Sequence, residues 1–206
     1  MNSRVAILGL VRELGNAAPF HDKKTDIWTM NAGFKVYGQA KINLLFEMHD
    51  WYAADYLPKY YLELRDIKHP KFKTITARND LTLNNSFTYP IDDAVRRFGM
   101  FFKSSMSWML AYASLRGYKE AFVYGCNLTE FQRHPEMMAS FYHIEGVARV
   151  HGLRTHFVND QMLEDDWMYG ISPLRWDIHA DLAGDSSDNY VRKEPDTWGL
   201  SKESNV

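Results

Sequence analysis

Short apolar runs alternate along this chain with longer stretches in which apolar residues recur at the spacing of a helix. A run without a polar break is typical of a strand buried on both faces of a parallel sheet. The alternation therefore predicts a three-layer, Rossmann-like α/β fold, with a mostly parallel sheet and helices on both faces. The predicted strands are Arg4–Leu10, Asp26–Met30, Ile42–Met48, Phe72–Thr76, Ala121–Tyr124 and Arg154–Val158.

The centre of the pattern is the segment Met100–Gly125. Ser104 or Ser105 is the predicted N-cap of its helix, because a hydroxyl there accepts a hydrogen bond from a backbone N–H of the first turn. The apolar face of this helix is so wide that we expect it to be covered on most sides. Gly117 is expected to end the helix before the next strand. The segment thus reads as half of a βαβ unit.

Turn residues and breakers predict the remaining connections. Pro58 should end or kink the aromatic helix in which it lies. Loops are expected where glycine, proline and asparagine cluster. The predicted helices are Trp51–Leu64, a short segment holding Arg96 and Arg97, and Pro135–His151, and the predicted loops hold Gly15, Asn16 and Pro19 and the turn Asn79–Ser86.

From Ile171 onward the apolar periodicity disappears, and polar and acidic residues dominate. We therefore predict one domain at residues 1–170 and an irregular C-terminal arm at residues 171–206. Trp176 and Trp198 are the large apolar anchors of this arm. They could dock on the domain or on another copy of the chain, so a homo-oligomer formed through the arm is one alternative.

Composition narrows the classes of function. Of 206 residues, 46% are apolar and 15% aromatic, so most of the chain is expected to fold. The net charge of -2 and the pI near 6.4 provide no overall field that would collect nucleic acid. Nucleic acid remains an alternative only as an acceptor held by a local basic groove.

The single cysteine, Cys126, can form no internal disulfide, which favours a reducing compartment. The sequence has no basic and apolar leader pattern and no apolar run of the length that spans a bilayer. We therefore expect a cytoplasmic protein without a membrane partner.

Polar residues follow the second and third predicted strands, at the edge where open α/β sheets bind ligands. Asn31 offers a donor and an acceptor to a sugar or base, or is an ordinary turn residue. Glu47, His49 and Asp50 could supply a general base or ligands for a hard metal. Without a second ligand cluster a metal is not favoured, and Asp50 could instead cap a helix.

Two predicted helix N-termini carry further candidates for substrate binding. Ser104 and Ser105 begin one helix, and Gln132 and Arg133 precede another. Free N–H groups at such ends favour phosphate, and a guanidinium can hold a diphosphate through paired hydrogen bonds. Capping by the serines and a structural ion pair of Arg133 are the alternatives. The first strand runs into G-L-V-R-E-L-G, which lacks the G-x-G-x-x-G spacing, so NAD is not favoured and no cofactor is expected.

With these motifs in place, the chain resembles a family of small Rossmann-like proteins encoded mostly by phages and prophages. The matching segments are DIWTMNAGF, LFEMHDW, FFKSSMSWMLAYASLRGYKEAFVYGCNLTEFQR and GVARVHGL, and the resemblance covers about Arg4 to Gly170. More distantly, SSMSWMLAYASLRGYKEAFVYGCN is similar to the corresponding helix and strand of the bacterial Rossmann-like sialyltransferases, and to the archaeal pterin pyrophosphokinase-like group.

The resemblance to the sialyltransferases implies that Asn31 and Ser105 bind a cytidine nucleotide. The G-x-G-x-S loop of those enzymes is replaced here by G-L-V-R at residues 9–12. Their catalytic histidine lies late in the chain, where His156 is the nearest counterpart. The resulting prediction is a phage-encoded, nucleotide-dependent transferase, specifically a glycosyltransferase using a nucleotide sugar, with His49 or Glu47 as general base. The alternative is a phage protein that sequesters a nucleotide without turnover in the cytoplasm of the host cell.

Overall fold

One parallel sheet organises the computed structural model, which describes residues 2–49, 57–125 and 135–158. Within these residues the sheet has seven strands: β1 (Arg4–Leu8), β2 (Thr25–Met30), β3 (Leu44–Glu47), β4 (Lys73–Thr76), β5 (Ser86–Thr88), β6 (Glu120–Tyr124) and β7 (Arg154–Val158). Their order across the sheet is β5-β4-β3-β2-β1-β6-β7, and every neighbouring pair is parallel. The predicted parallel sheet is confirmed.

Helices cover both faces of this sheet. They are α1 (Arg12–Gly15), α2 (Gly33–Tyr37), α3 (Lys59–Arg65), α4 (Ile91–Phe98), α5 (Ser105–Leu115) and α6 (Pro135–Val150), with a 3₁₀ turn at Gln39–Lys41. Helices α4, α5 and α6 pack together on one face. No helix in the described part of the chain combines the length and the apolar character needed to cross a membrane.

Two consecutive residues of β3 show how both faces are buried. Leu45 is fully buried in a cluster with Phe34 of α2 and Tyr61 of α3. Phe46 is also fully buried, and its ring centroid lies 5.6 Å from that of Tyr112 in α5. Because successive side chains of a strand point to opposite faces, α2 and α3 cover one face and α5 the other. The predicted three-layer α/β architecture is therefore confirmed.

Helix α5 begins at the carboxyl edge of the sheet and runs back toward the amino edge. Ser104 is its N-cap, since its hydroxyl accepts a hydrogen bond from a first-turn N–H at 3.2 Å. Tyr112 packs against Trp28 of β2, with ring centroids 5.5 Å apart. The Tyr118 hydroxyl, beyond the helix, donates to Asp26 near the start of β2. The helix is thus antiparallel to the strands, and its N-terminus lies at the edge where the strands end.

Three connections differ from the sequence predictions. Residues 12–15 form α1 rather than a loop, because a single helical turn is too short to show a periodic pattern. Helix α3 starts only after Pro58, which is its N-cap with an extended backbone; residues 51–56 of the predicted helix lie outside the described residues. Ser86, the last residue of the predicted turn, instead begins the edge strand β5 (Ser86–Thr88). This strand holds a single large apolar residue, so its pattern gave no strand signal.

The C-terminal predictions concern residues beyond 158, which the structure does not describe. They are the domain boundary at residue 170 and the irregular arm 171–206. These remain predictions.

Candidate functional site

The carboxyl edge of the sheet has a topological switch point between β1 and β6. The chain moves from β1 outward through β2 to β5, and then returns to place β6 on the other side of β1. Gly15 at the end of α1 lies against Tyr37 of α2 on one face, whereas α6, which follows β6, packs on α5 on the other. In open α/β sheets a ligand crevice forms at such a switch point.

Hydrogen bonds join the two loops that leave this switch point. The N–H of Gly9 donates to the carbonyl of Tyr124 at 2.7 Å, and the N–H of Val11 donates to the carbonyl of Gly125 at 3.3 Å. The Tyr37 hydroxyl donates to the carbonyl of Gly9 at 2.7 Å. The amides of Gly9 and Val11 are therefore already paired within the protein, and they are not presented to a phosphate.

Asn31 lies directly after β2, in a left-handed backbone conformation with φ of 47°. Its N–H donates to the carbonyl of Phe46 at 3.0 Å, which places it beside the end of β3. Its side-chain oxygen Oδ1 is buried and has no hydrogen-bond partner among the described residues. Leaving a buried acceptor unpaired costs about 1–3 kcal/mol. A ligand that donates a hydrogen bond to this oxygen would remove that penalty.

Glu47 and His49 form a hydrogen-bonded pair at the carboxyl end of β3. The side chain of Glu47 is 1% exposed and that of His49 is 47% exposed. Nδ1–H of His49 donates to Oε1 of Glu47 at 2.7 Å, and the backbone N–H of His49 donates to the same oxygen at 3.3 Å. The carboxylate therefore fixes the orientation of the ring and holds its proton on Nδ1. In the neutral imidazole the lone pair is then on Nε2.

The second oxygen of Glu47, Oε2, is buried and has no hydrogen-bond partner in the described part of the chain. Tyr60 of α3 lies close to this carboxylate. Burial, then the negative charge of Glu47 and a hydrogen bond to its carboxylate, raise the pKa of the Tyr60 phenol well above its ordinary value, so the phenol stays protonated. Burying a carboxylate with one oxygen unpaired is unfavourable. A buried polar group of this kind at the carboxyl edge of the sheet makes Glu47 a candidate functional residue.

Ser104 and Ser105 differ in what their hydroxyls do. Oγ of Ser104 lies 2.9 Å from Oγ of Ser107, which lies 3.0 Å from Oγ of Ser140 in α6. Ser140 in turn donates to the carbonyl of Phe101 at 2.8 Å. This chain of hydroxyls ties the start of α5 to α6. Ser105 is half-buried, and its hydroxyl makes no hydrogen bond to another described residue, so it is the serine better placed to meet a ligand.

We expect Ser104→Ala to lower the free energy of unfolding by about 1 kcal/mol, because it removes an N-cap. Ser105→Ala should leave the free energy of unfolding within about 0.5 kcal/mol of its original value, since no described partner is lost. Urea denaturation of both variants measures the difference. Equal destabilisation by the two substitutions would contradict the separation of a structural serine from an available one.

Three predicted residues, Gln132, Arg133 and Asp50, lie outside the described residues, so their roles remain predictions. The structure places Asn31, Glu47 and His49 together at the ends of β2 and β3. The N-terminus of α5 comes to the same edge of the sheet. Among the residues that the structure describes, no group of three or more His, Cys, Asp or Glu side chains could hold a metal ion.

His156, the alternative suggested by the resemblance, lies in the middle of β7. Its ring stacks on Phe122 with centroids 4.6 Å apart. Its Nε2 lies 3.5 Å from Oε1 of Glu120, the first residue of β6. The contacts of His156 are therefore with the middle and the first residue of β6, away from the pair at the carboxyl end of β3.

Two tyrosines at this edge were missed by the sequence analysis. Tyr37 holds the loop after β1, and Tyr60 lies beside the Glu47 carboxylate. Each lies on a short helix that packs on the sheet. In the sequence, an aromatic residue of such a helix looks the same as a residue that only packs in the hydrophobic core. The only available signal was the position of Tyr60 just after Pro58, which fixes where α3 starts.

Comparisons with known proteins agree with this geometry at the level of the fold. No family model matches the sequence, and the comparison with curated proteins found no match. The sialyltransferase CstII from Campylobacter jejuni, in complex with the substrate analogue cytidine-5'-monophosphate, matches with a TM-score of 0.53 at 14% sequence identity, over 80% of this chain and 83% of that one. An alpha-2,3-sialyltransferase from the same organism, in apo form, matches with a TM-score of 0.51 at 13% sequence identity, over 78% of this chain and 76% of that one. The chain has the fold of these sialyltransferases.

The distant similarity to sialyltransferases inferred from the sequence is thus confirmed for the fold. A further structure of CstII, in complex with the substrate analogue CMP-3FNeuAc, matches with a TM-score of 0.53 at 14% identity, over 78% of this chain and 83% of that one. Shared fold does not by itself transfer chemistry, so the roles of residues in this chain must be argued from its own site.

Proposed function

We propose that this protein is a nucleotide-dependent transferase, specifically a glycosyltransferase that uses a nucleotide sugar as donor. The observation that carries the proposal is the Glu47–His49 pair, in which a buried carboxylate orients a half-exposed imidazole at the carboxyl edge of the sheet. Further support comes from the fold, which is that of sialyltransferases solved with CMP or a CMP-sugar analogue. The nucleotide is a substrate here, and the proposal includes no cofactor.

In the proposed reaction His49 is the general base. Its Nε2 takes the proton of the acceptor hydroxyl while the hydroxyl oxygen attacks the anomeric carbon of the donor sugar. The bond from that carbon to the nucleotide phosphate breaks, and the nucleotide leaves with the electron pair. Of the two candidate bases His49 is favoured, because the Glu47 side chain is only 1% exposed. Glu47 is a positioning residue that holds the ring and stabilises the imidazolium.

The nucleotide itself would occupy the edge between Asn31 and the start of α5. Asn31 presents an unpaired Oδ1 to a donor on the base or ribose, and Ser105 offers a hydroxyl at the N-terminus of an eleven-residue helix. The free N–H groups of that helix end favour an anion. Gln132 and Arg133 are proposed to hold phosphate from the other side.

Ligand-induced stabilisation tests nucleotide binding. We expect CMP or a CMP-sugar, at about 100 times its Kd, to stabilise the protein by about 2.7 kcal/mol. Asn31→Ala and Ser105→Ala should reduce this stabilisation by the nucleotide. Ser104→Ala should lower the melting temperature of the protein without ligand, but the increase in melting temperature on nucleotide binding should stay the same. A panel of nucleotides and nucleotide sugars is measured by thermal shift. No stabilisation by any of them would contradict the proposal.

A second candidate is a protein that binds a nucleotide without turnover. The observation that favours it is the pairing of the Gly9 and Val11 amides with Tyr124 and Gly125, which removes a phosphate contact from the loop after β1. Mass spectrometry of a nucleotide sugar after long incubation with protein and candidate acceptors separates the two functions. Recovery of the intact donor under conditions where it is bound would favour sequestration.

The origin and setting of the activity rest on the sequence resemblance. Similarity to a family encoded mostly by phages and prophages supports a phage-encoded protein that acts in the cytoplasm of the host. The single cysteine agrees with that compartment. The acceptor is a hydroxyl of a small molecule or a macromolecule, and nucleic acid stays among the alternatives.

A further inference from the structure

A cavity lies between β5, α4 and the last turn of α5; we call it the α4–α5 groove. Its volume is about 880 Å³, and its apolar lining includes Phe87, Tyr112 and Leu115. Small-molecule sites typically measure about 300–1,000 Å³ and combine apolar walls with a few polar groups. The groove is therefore large enough for a ligand of nucleotide or disaccharide size.

The polar lining of the α4–α5 groove is mainly basic. It includes Arg96, Arg97, Arg116 and His151, with Thr88 as a neutral member and Asp93 as the acidic one. Asp93 is already paired with Arg96 on the same helix. Arg97 and Arg116 have no ion-pair partner among the described residues, and the Arg116 guanidinium lies over the Tyr112 ring, 6.0 Å from its centroid. Two guanidinium groups that no described carboxylate pairs with thus line one cavity, one from α4 and one from the end of α5.

The groove is locally positive, whereas the chain as a whole has a net charge of -2. Arg97 and Arg116 carry like charges along one groove, and like charges repel each other. An anion between them would replace repulsion with two charge-assisted hydrogen-bonded contacts. A guanidinium suits this role, because its planar fork matches phosphate and carboxylate oxygens.

The α4–α5 groove is distinct from the proposed nucleotide site. Ser105 begins α5 and Arg116 follows its last residue. At a rise of 1.5 Å per residue, the two ends of the helix are about 16 Å apart. A ligand in the groove is therefore not the nucleotide whose phosphates meet the N-terminus of α5.

We propose that the α4–α5 groove binds a small ligand with two anionic groups, phosphate or carboxylate, on a ring or short apolar scaffold. Arg97 and Arg116 each hold one anionic group, and the scaffold packs on Tyr112 and Leu115. Because the groove lies at the opposite end of α5, the site is independent of whether the protein transfers sugars.

Binding of inorganic pyrophosphate and of citrate tests the proposal, since the first carries two phosphate groups and the second carries carboxylates. Titration calorimetry should detect at least one of them. Backbone amide signals of α4 and of residues 115–117 should shift in ¹⁵N NMR spectra, while those of residues 31 and 47–49 stay in place. Which probe binds more tightly identifies the anionic group that the groove prefers.

Substitutions then assign the binding to the two arginines. Arg97→Gln with Arg116→Gln should weaken binding at least about tenfold, in line with the loss of hydrogen bonds between charged groups. Arg116→Lys keeps the positive charge but loses the planar fork of the guanidinium. Its affinity for the probe should lie between that of the original chain and that of the double glutamine variant. Arg65→Gln, which removes an exposed arginine on α3, is the matched control and should bind as the original chain does.

Arg97→Gln alone keeps the test valid if the double variant is unstable, because Arg97 is exposed and has no described partner. Binding of neither probe to the groove, or undiminished binding by the arginine variants, would overturn the proposal. CMP binding should be unchanged in every groove variant. A loss of CMP binding there would show that the groove is part of the nucleotide site, and would also overturn it.

Discussion

Gly33→Ala is expected to lower the free energy of unfolding by about 3 kcal/mol, the upper end of the usual range for overpacking. A Cβ on Gly33 would lie 2.0 Å from Oγ1 and 2.7 Å from Cγ2 of Thr29. Thr29 is fully buried, and its hydroxyl donates to the carbonyl of Leu8 at 3.2 Å. It cannot turn aside without losing that bond, so α2 would have to move off β2. Urea or guanidinium denaturation measures the effect.

Gly146→Ala is the matched control, because it adds the same methyl group to a glycine of another helix. Nothing lies within 4 Å of a Cβ at Gly146, which is inside α6. This substitution should stabilise the protein by about 0.4–1 kcal/mol, since alanine has less backbone freedom to lose on folding. If Gly33→Ala were as well tolerated as Gly146→Ala, the contact between α2 and β2 would not be as close as the structure shows.

The same contact links stability to the candidate site. Asn31 lies two residues before Gly33, and the hydrogen bond of its N–H to Phe46 fixes it against β3. A shift of α2 would move Asn31 relative to the end of β3. We therefore expect Gly33→Ala to weaken nucleotide binding as well, although Gly33 itself presents no side chain to a ligand.

The parts of the fold that the sequence predicted are those with a strong periodic signal. Helix α5 was predicted with its cap and its glycine stop, because capping and apolar repetition agree over the whole segment. Strand β6 is a continuous apolar run and was predicted for the same reason. The single turn α1 and the three-residue strand β5 were missed, because elements of that length are determined by tertiary pairing rather than by their own pattern.

The places of the candidate residues in the fold were predictable, but their contacts were not. The rule that ligands meet the carboxyl ends of strands led to Asn31, Glu47 and His49 without a structure. Glu47 orients His49, and its Oε2 has no described partner, because the carboxylate is buried beside α3. This burial depends on the packing of residues that are distant in sequence. The α4–α5 groove was likewise invisible, since Arg97 and Arg116 come together only when α4 packs on α5.

His49→Asn is expected to reduce kcat of the proposed transfer by about 10²- to 10⁴-fold, the usual contribution of a general base. Asparagine is of similar size and can still donate to Glu47, but it cannot take a proton from an acceptor. Nucleotide affinity should change little, because His49 acts on the acceptor and not on the donor nucleotide. Steady-state kinetics and CMP titration of the same preparation separate the two effects. His69→Asn, at an exposed position on the chain, is the matched control.

Glu47→Gln tests whether the buried carboxylate works through the imidazole. The amide oxygen can still accept from Nδ1–H, but the negative charge that stabilises the imidazolium is gone, so kcat should fall about 10- to 100-fold, as for other residues that orient a functional group. In the background of His49→Asn the same substitution should cost nothing further, since the group that it serves is absent. The free energy of unfolding is measured alongside, because the amide nitrogen replaces Oε2, which is buried without a described partner. Additive losses of kcat in the double variant would mean that Glu47 acts without His49. If His49→Asn retained activity and His156→Asn lost it, His156 would instead be the general base.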